Sequence, residues 1–419
     1  MPIIIYHLSA DIGRFIIHHY QVMIKEIRQA YNAAFTPEKY ESFLNHIFSI
    51  NNYEPTFRLG ETPVFIPDDF RDKLIRACDD IADVLVRPDF KLLTDGAIQP
   101  HNRVPNEDAH TTFLVIDFGV CEEDGQLVPK LIELQGFPSL YFFQHDLSET
   151  YKAHFDLPKN MSPLFGGLNT EGYYGLLRDI MVGDSKPENV VLLEVEPEKQ
   201  NTQVDFWSTA KQLNIKVLCL TKVIKVGRKL FYENEKGESV RIEKIYNRVI
   251  FDELERRPDL IFGFHFTDDL DVEWIGHPNW FFRISKYTMP FLKGPFVPKT
   301  YFLNQIDPSV LDLEKYVLKP LFSFSGQGVK INITQADIDA VEDPTNWILQ
   351  EKVTYAPALD TPSGPTKIEI RMLMVWKKEW ERPQLVNNLI RLSKGEMIGV
   401  RYNKDKDWVG ASVGLFNPK

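Results

Sequence analysis

The chain has 419 residues, of which 43% are hydrophobic and 26% charged, a balance typical of a folded protein with two or three packed units. Its formal net charge of −11 does not favour nucleic acid as a partner, because neutralising phosphates requires a basic surface. No apolar run approaches the ~18 residues of a membrane span. Residues 1–20 lack a basic leader, and the three cysteines are far apart. We therefore expect a cytoplasmic protein that has no membrane partner.

The first 185 residues combine helices with a hairpin. Apolar residues at helical spacing predict two helices, at residues 10–50 and 68–85. Alternating apolar residues and an Asp-Gly turn predict a hairpin, with strands at 112–118 and 127–134 and a turn at 123–125. Residues 158–175 are rich in Pro, Gly and Asn, which indicates a loop.

A small α/β domain is predicted for residues 186–285. Its strand-helix-strand pattern implies a parallel pair, with segments at 190–193, 204–213 and 216–220. Shorter strands are predicted after it, at 229–232, 240–242 and 245–249. Residues 286–419 alternate again in an α+β pattern typical of nucleotide-binding lobes. The predicted strands there are 316–319, 328–333, 347–352, 367–376 and 385–392, with a helix at 335–341.

A lysine followed by a glycine-rich turn is the strongest local signal for chemistry. Lys319 ends an apolar strand, and the turn from Ser325 through Gly326 and Gln327 to Gly328 follows it. This order puts an ammonium group near phosphates, and the glycines let backbone N–H groups approach phosphate oxygens. It is not a P-loop, because no Gly-Lys-Ser/Thr opens a helix. An ordinary hairpin with a solvated lysine is the alternative.

Further polar residues flank this turn on both sides. Lys286 lies about 30 residues upstream, at a predicted strand-to-helix junction, and offers a second phosphate contact. Gln350 and Glu351 end a strand about 30 residues downstream, where the backbone can pair with an adenine edge. A polar pair at a sheet edge is the alternative for these two residues.

The predicted hairpin carries oxygen ligands on one face. Glu133 and Gln135 are two apart and project to the same side, from a strand that pairs with the strand of Asp117. Two carboxylates and an amide oxygen suit Mg²⁺, which bridges phosphates more readily than it sits in an all-protein cage. A solvent-facing polar stripe is the alternative.

Taken in order, these motifs resemble the ATP-grasp superfamily over residues 110–140 and 186–419. The acidic motif precedes the lysines here, as in the circularly permuted branch that includes glutathionylspermidine synthase. The resemblance implies an α/β (α+β) fold with ATP-grasp nucleotide lobes at 286–419 and a small pre-ATP-grasp-like domain at 186–285. The hairpin within residues 1–185 would complete the core.

The resemblance also implies roles and a reaction. Asp117, Glu133 and Gln135 would hold Mg²⁺ on the phosphates of ATP, Lys286 and Lys319 would contact the nucleotide, and residues 325–328 would cover it. Gln350 and Glu351 would lie by the adenine and ribose. Arg371 or Arg391 would neutralise charge on an acyl phosphate, since fixed cations aimed at developing charge accelerate acyl and phosphoryl transfer. The implied activity is an ATP- and Mg²⁺-dependent ligase that joins a small-molecule carboxylate to an amine, such as a peptide or polyamine.

Two positions differ from the family pattern. Gln135 stands where the family has Asn, and Val115 stands where glutathionylspermidine synthases have an arginine. A non-catalytic ATP-grasp scaffold that binds nucleotide therefore remains the alternative to the ligase. Asp117-Phe118-Gly119 matches a kinase metal-binding tripeptide, but the glycine loop lies some 200 residues after it rather than before. The histidines show no zinc-site spacing.

Overall fold

The computed structural model describes residues 23–51, 53–323, 326–395, 398–399 and 402–418. The α-helices in these residues are α1 Lys25–Ala34, α2 Pro37–Asn51, α3 Asp68–Leu85, α4 Phe90–Leu93, α5 Tyr141–His154, α6 Thr170–Met181, α7 Gln203–Leu213, α8 Phe251–Glu255, α9 Asn279–Arg283 and α10 Gln335–Asp339. The strands are β1 Val64–Phe65, β2 Phe113–Glu123, β3 Gln126–Gln135, β4 Val190–Glu194, β5 Lys216–Cys219, β6 Ile224–Val226, β7 Lys229–Glu233, β8 Ser239–Ile242, β9 Lys244–Asn247, β10 Glu273–Ile275, β11 Thr300–Phe302, β12 Tyr316–Pro320, β13 Trp347–Glu351, β14 Lys367–Val375, β15 Gln384–Ser393, β16 Gly410–Ser412 and β17 Gly414–Leu415. The fold is α/β, as predicted.

The sheet that positions the candidate site is five-stranded and antiparallel, in the order β16-β15-β14-β2-β3. β2 and β3 form the predicted hairpin, and Asp124 and Gly125 at its tip have φ values of 51° and 75°. Positive φ at both central residues matches the twist of the flanking strands, and Asp-Gly adopts it readily. The hairpin prediction is confirmed, although β2 runs five residues further than expected.

A smaller sheet, in the order β11-β13-β12, lies against β3. Two of its side chains reach the β3 backbone. Lys319 Nζ donates to the carbonyl of Ile132 at 3.1 Å, and Gln350 Nε2 donates to the carbonyl of Leu131 at 3.3 Å. Leu131 N donates to the carbonyl of Phe296 at 2.8 Å. The two side-chain bonds join the two sheets, and a cleft beside them is lined by residues of β3 and of the turn after β12.

The predicted strand-helix-strand unit within residues 186–285 is confirmed. β4 and β5 pair in parallel, and α7 connects them. The parallel sheet has the order β10-β9-β4-β5, and β6, β7 and β8 form a separate antiparallel sheet after it. The domain limits at residues 185 and 285 stay a prediction.

The predicted helix at 10–50 and the predicted loop at 158–175 both need correction. Residues 1–22 lie outside the described part, and the rest of the predicted 10–50 helix is two helices, α1 and α2. The break falls at Phe35, which is extended, and at Thr36, because the residue before a proline disfavours the helical region. The predicted loop at 158–175 is also wrong at its end, since α6 begins at Thr170. Asn169 caps α6 by accepting a hydrogen bond from Gly172 N at 2.8 Å.

The predicted strand at 328–333 is wrong. The chain makes only an isolated bridge there, in which Leu318 and Lys330 exchange two backbone hydrogen bonds of 2.9 Å. Gly326 and Gly328 have φ values of 69° and 72°, so the backbone turns instead of extending along β12.

The hydrophobic core lies on both faces of the five-stranded sheet. On one face, Ile116 and Ile370 pack with residues of α3 such as Leu74. On the other face, Val115 and Leu373 pack with α5, α6 and the parallel sheet. Alternation along β2 and β14 therefore fills both faces, and the polar site residues continue the second face. Within the described residues, no helix is both long and apolar enough to span a membrane.

Candidate functional site

Polar side chains from four neighbouring strands share one face of the five-stranded sheet. Asp117 on β2 lies directly opposite Glu133 on β3 and Arg371 on β14. Glu369 on β14 lies opposite Arg391 on β15. Residues directly opposite in an antiparallel sheet project to the same side, so the register alone assembles this cluster.

Asp117 is the buried centre of the cluster, with a side chain only 1% exposed. Its Oδ1 accepts from Arg371 Nε at 2.7 Å, and its Oδ2 accepts from Arg371 Nη2 at 2.7 Å and from Arg391 Nη2 at 2.5 Å. Burial alone would raise the pKa of Asp117, but the two guanidinium groups hold it below its ordinary value. Both carboxylate oxygens therefore already have cationic partners.

Glu369 and Tyr355 extend the cluster away from Asp117. Glu369 is buried, pairs with Arg391 Nη2, and accepts a hydrogen bond from the Tyr355 hydroxyl. Burial raises the pKa of Glu369, with Arg391 opposing the shift and Asp117 adding to it. The Tyr355 ring lies against Gly119, where a Cβ would come within 2.9 Å of it. Arg391 is thus fixed between two acidic groups.

Glu133 is the acidic side chain of the hairpin that reaches the cleft. Its side chain is 23% exposed, and its Oε1 accepts from Gln135 Nε2 at 3.1 Å. Its Oε2 lies 3.7 Å from Lys286 Nζ. Glu133, Gln135 and Lys286 all line the cleft, together with Ser323.

Lys319 approaches the same place from the smaller sheet. It is buried, and its Nζ donates to the carbonyl of Ile132. Burial lowers the pKa of Lys319 to about 8, with Glu133 opposing the shift and Lys286 adding to it. A partly neutral amine at physiological pH is unusual, and it follows from removing the ammonium group from water.

The prediction that Lys286 lies at a strand-to-helix junction is wrong. It follows α9 and begins a 3-10 helix, Lys286–Phe291, whose first turn Ser285 caps by accepting from Tyr287 N. This turn buries the lysine, and its Nζ donates to the carbonyl of Ser323 at 2.6 Å. The lysine is held toward the cleft by backbone as well as by Glu133.

The remaining predicted nucleotide contacts are dispersed. Gln350 is buried and bonded to β3, whereas Glu351 faces outward and accepts from Lys299 N at 3.0 Å. Gln327 accepts from Arg256 Nη1 at 3.2 Å. Gly326 and Gly328 lie in the turn after β12, and Ser325 is outside the described residues. The structure therefore gathers Asp117, Glu133, Gln135, Lys286, Lys319, Arg371 and Arg391 but not Glu351.

Three participants were absent from the predicted set. Glu369 lies two residues before Arg371, so strand alternation was a usable signal that both share a face. Tyr355 is contributed by an irregular segment, and Ser139, whose hydroxyl accepts from Arg371 Nη1 at 3.0 Å, precedes α5. Nothing in the local sequence indicates these last two contacts.

Comparison with known proteins gives a likeness in fold. No protein-family model matches the chain, and no curated protein matches it in sequence. The solved structures do contain matches, among them the apo form of a glutathione synthetase-like effector, GSS30, from Globodera pallida. The match has a TM-score of 0.57 at 10% sequence identity and covers 91% of this chain and 96% of that one. The two chains share a fold. At this identity the likeness concerns the fold alone, and the roles of the site residues stay predictions.

Proposed function

We propose that the cleft binds ATP and that the protein is an ATP-dependent ligase, of circularly permuted ATP-grasp type, that joins a carboxylate to an amine. The observation that carries the proposal is the convergence of Lys286, Lys319 and Glu133. Glu133 from β3 and Lys286 from the 3-10 helix line the cleft, and Lys319 from β12 bonds to the β3 backbone next to Glu133. The fold shared with a glutathione synthetase-like protein supports the same activity class.

The lysines are suited to hold a polyphosphate. Lys286 Nζ and Lys319 Nζ are both anchored to backbone carbonyls, of Ser323 and Ile132, so their positions cost little further entropy on binding. A buried ammonium interacts more strongly with phosphate than an exposed one, because water screens it less. Together they would fix the terminal phosphates for attack.

Magnesium is the implied metal, and part of the predicted ligand set fits it. Mg²⁺ is usually bound by one or two carboxylates together with substrate phosphates and water. Glu133 and Gln135 contact each other at the cleft and would hold the ion. Within the described residues, no cluster of three or more His, Cys, Asp or Glu side chains is arranged as a metal site. When bound, the ion would neutralise negative charge on the phosphates.

The reaction needs no covalent protein nucleophile. The substrate carboxylate displaces ADP at the γ-phosphate and becomes an acyl phosphate, and an amine then displaces inorganic phosphate and forms an amide. Arg371 and Arg391 would stabilise the negative charge of the acyl phosphate from the sheet face, because oriented cations need no reorganisation during the reaction.

The test is turnover with a pool of amino acids, small peptides and polyamines in the presence of Mg²⁺ and ATP. A ligase is expected to release phosphate only when an acceptor and a carboxylate are both present. A carboxylate labelled with ¹⁸O should pass one ¹⁸O atom to the phosphate. Lys319→Met should abolish release, whereas Lys315→Met, which removes an exposed lysine near the same strand, should not.

A non-catalytic nucleotide-binding scaffold is the second candidate. It is favoured by the ion pairs of Arg371 and Arg391, because each guanidinium already has a carboxylate partner in Asp117 or Glu369. Nucleotide binding with no ADP formed from any pooled substrate would support the scaffold over the ligase. Absence of nucleotide binding would contradict both.

A further inference from the structure

The carboxylates and guanidinium groups around Asp117 differ in how far they are exposed to solvent. Asp117 is 1% exposed and Glu369 is buried, whereas the side chain of Arg391 is 34% exposed and that of Arg371 is 15% exposed. Around Asp117, the face of the sheet therefore offers a ligand guanidinium groups, while the carboxylates of Asp117 and Glu369 lie beneath them. That order favours an anion over a cation at this position.

The hydrogen bonds of Asp117 point to the same conclusion. Arg371 binds it in a bidentate fork through Nε and Nη2, and Arg391 adds a third charge-assisted bond. Guanidinium donors already occupy three of the roughly four lone-pair sites of the Asp117 carboxylate. A divalent cation on the remaining site would lie beside two fixed guanidinium groups, whose positive charges repel it in a buried setting.

We infer that Asp117 is a positioning residue for an anion-binding pair, Arg371 and Arg391, and not a metal ligand. Glu369 has the same role toward Arg391, on its other side. Glu133, with Gln135, would hold the metal ion instead, and the ion would neutralise phosphate charge there. The inference rests on the proposed nucleotide site, and it assigns the arginine pair to the anionic carboxylate or acyl phosphate of the substrate.

Metal binding to two variants distinguishes the role of Glu133 from that of Asp117 without an activity assay. Mn²⁺ replaces Mg²⁺ as the probe, and its binding to the protein with AMP-PNP is followed by electron paramagnetic resonance. Glu133→Gln is expected to weaken Mn²⁺ binding about ten- to a hundredfold, whereas Asp117→Asn changes it by only about twofold. Asp205→Asn is the matched control, because Asp205 is equally buried but caps α5 through Phe142 N and Phe143 N.

A measurement on the unchanged chain covers the case in which Asp117→Asn does not fold. The Arg371 Nε–H group, assigned by its loss in Arg371→Lys, gives a ¹H–¹⁵N signal that the carboxylate of Asp117 shifts downfield. This signal is expected to keep its downfield position when Mg²⁺ and AMP-PNP are added.

The possible results are distinct. Loss of Mn²⁺ binding in Asp117→Asn but not in Asp205→Asn, or an upfield move of the Arg371 signal, would overturn the inference and leave the proposed function standing. A wild-type chain that binds no AMP-PNP would overturn the proposed function and the inference together.

Discussion

At the scale of single residues, the amine of Lys319 links nucleotide binding to pH. Burial lowers its pKa to about 8, so the free protein loses this positive charge in mildly alkaline solution. A phosphate beside Lys319 favours the protonated form, and binding above pH 8 must therefore take up a proton. We predict that the dissociation constant for AMP-PNP, measured by calorimetry, rises by up to about tenfold per pH unit above pH 8.

Lys319→Arg is the control for this pH dependence, since a guanidinium stays protonated over the whole range. The affinity of this variant for AMP-PNP should stay constant between pH 7 and pH 9. If the variant still loses affinity at alkaline pH, another group is responsible for the titration.

The stability of the folded protein changes with pH in the opposite direction. The pKa of Lys319 is lower in the folded state than its ordinary value of 10.5, so unfolding takes up a proton and stability rises from pH 8 toward pH 10.5.

The hydroxyl of Tyr355 matters for stability because its acceptor is buried. Tyr355→Phe removes the donor to Glu369 and leaves a buried carboxylate oxygen with one fewer partner. Hydrogen bonds to charged groups contribute about 1.5–3 kcal/mol, and we predict a loss of that size in the free energy of unfolding in urea. A loss below about 0.5 kcal/mol, the lower end for an ordinary hydrogen bond, would mean that water or Arg391 replaces the hydroxyl and that Tyr355 does not fix the cluster.

At the scale of elements, the turn after β12 depends on Gly328. Its φ is 72°, and a Cβ there would lie 3.0 Å from Pro320 Cγ, so any side chain meets both backbone strain and a close neighbour. We predict that Gly328→Ala costs about 1–2 kcal/mol of stability and also weakens AMP-PNP binding. Thermal unfolding and calorimetry measure the two effects.

Gly237→Ala is the matched control for Gly328→Ala. Gly237 has a φ of 76°, lies in the turn between β7 and β8, and has open space where a Cβ would lie. It should lose a similar backbone contribution to stability without any loss of nucleotide affinity. Equal loss of affinity in both variants would show that the turn after β12 has no special part in binding.

Strands and their faces were the most predictable elements. The β2–β3 hairpin carries alternation and an Asp-Gly turn, and both signals are local. The strand expected at 328–333 failed because two glycines with positive φ turn the chain, which then meets β12 only through the bridge between Leu318 and Lys330. The start of α6 was missed because its cap, Asn169, lies in a segment whose Pro and Gly content is typical of loops.

At the scale of the whole molecule, the site depends on segments far apart in sequence. Lys319 and Ile132 are 187 residues apart, and Arg391 and Asp117 are 274 apart. Composition and periodicity cannot place such pairs, and the expectation that the hairpin of Asp117 and Glu133 meets Lys286 and Lys319 came from the order of short motifs. The pairing of both arginines with Asp117 could not be predicted, because it depends on the register of β14 against β2 and β15.

The nucleotide site can be tested by calorimetric titration of AMP-PNP with Mg²⁺ into four proteins: the wild-type chain, Lys286→Met, Lys319→Met and the control Lys315→Met. If the cleft beside β3 holds the phosphates, the wild type and Lys315→Met bind alike. Each of the other two variants loses at least about tenfold in affinity, as expected for removal of a buried phosphate contact. Equal affinity in all four proteins would contradict the account, because nucleotide would then bind elsewhere.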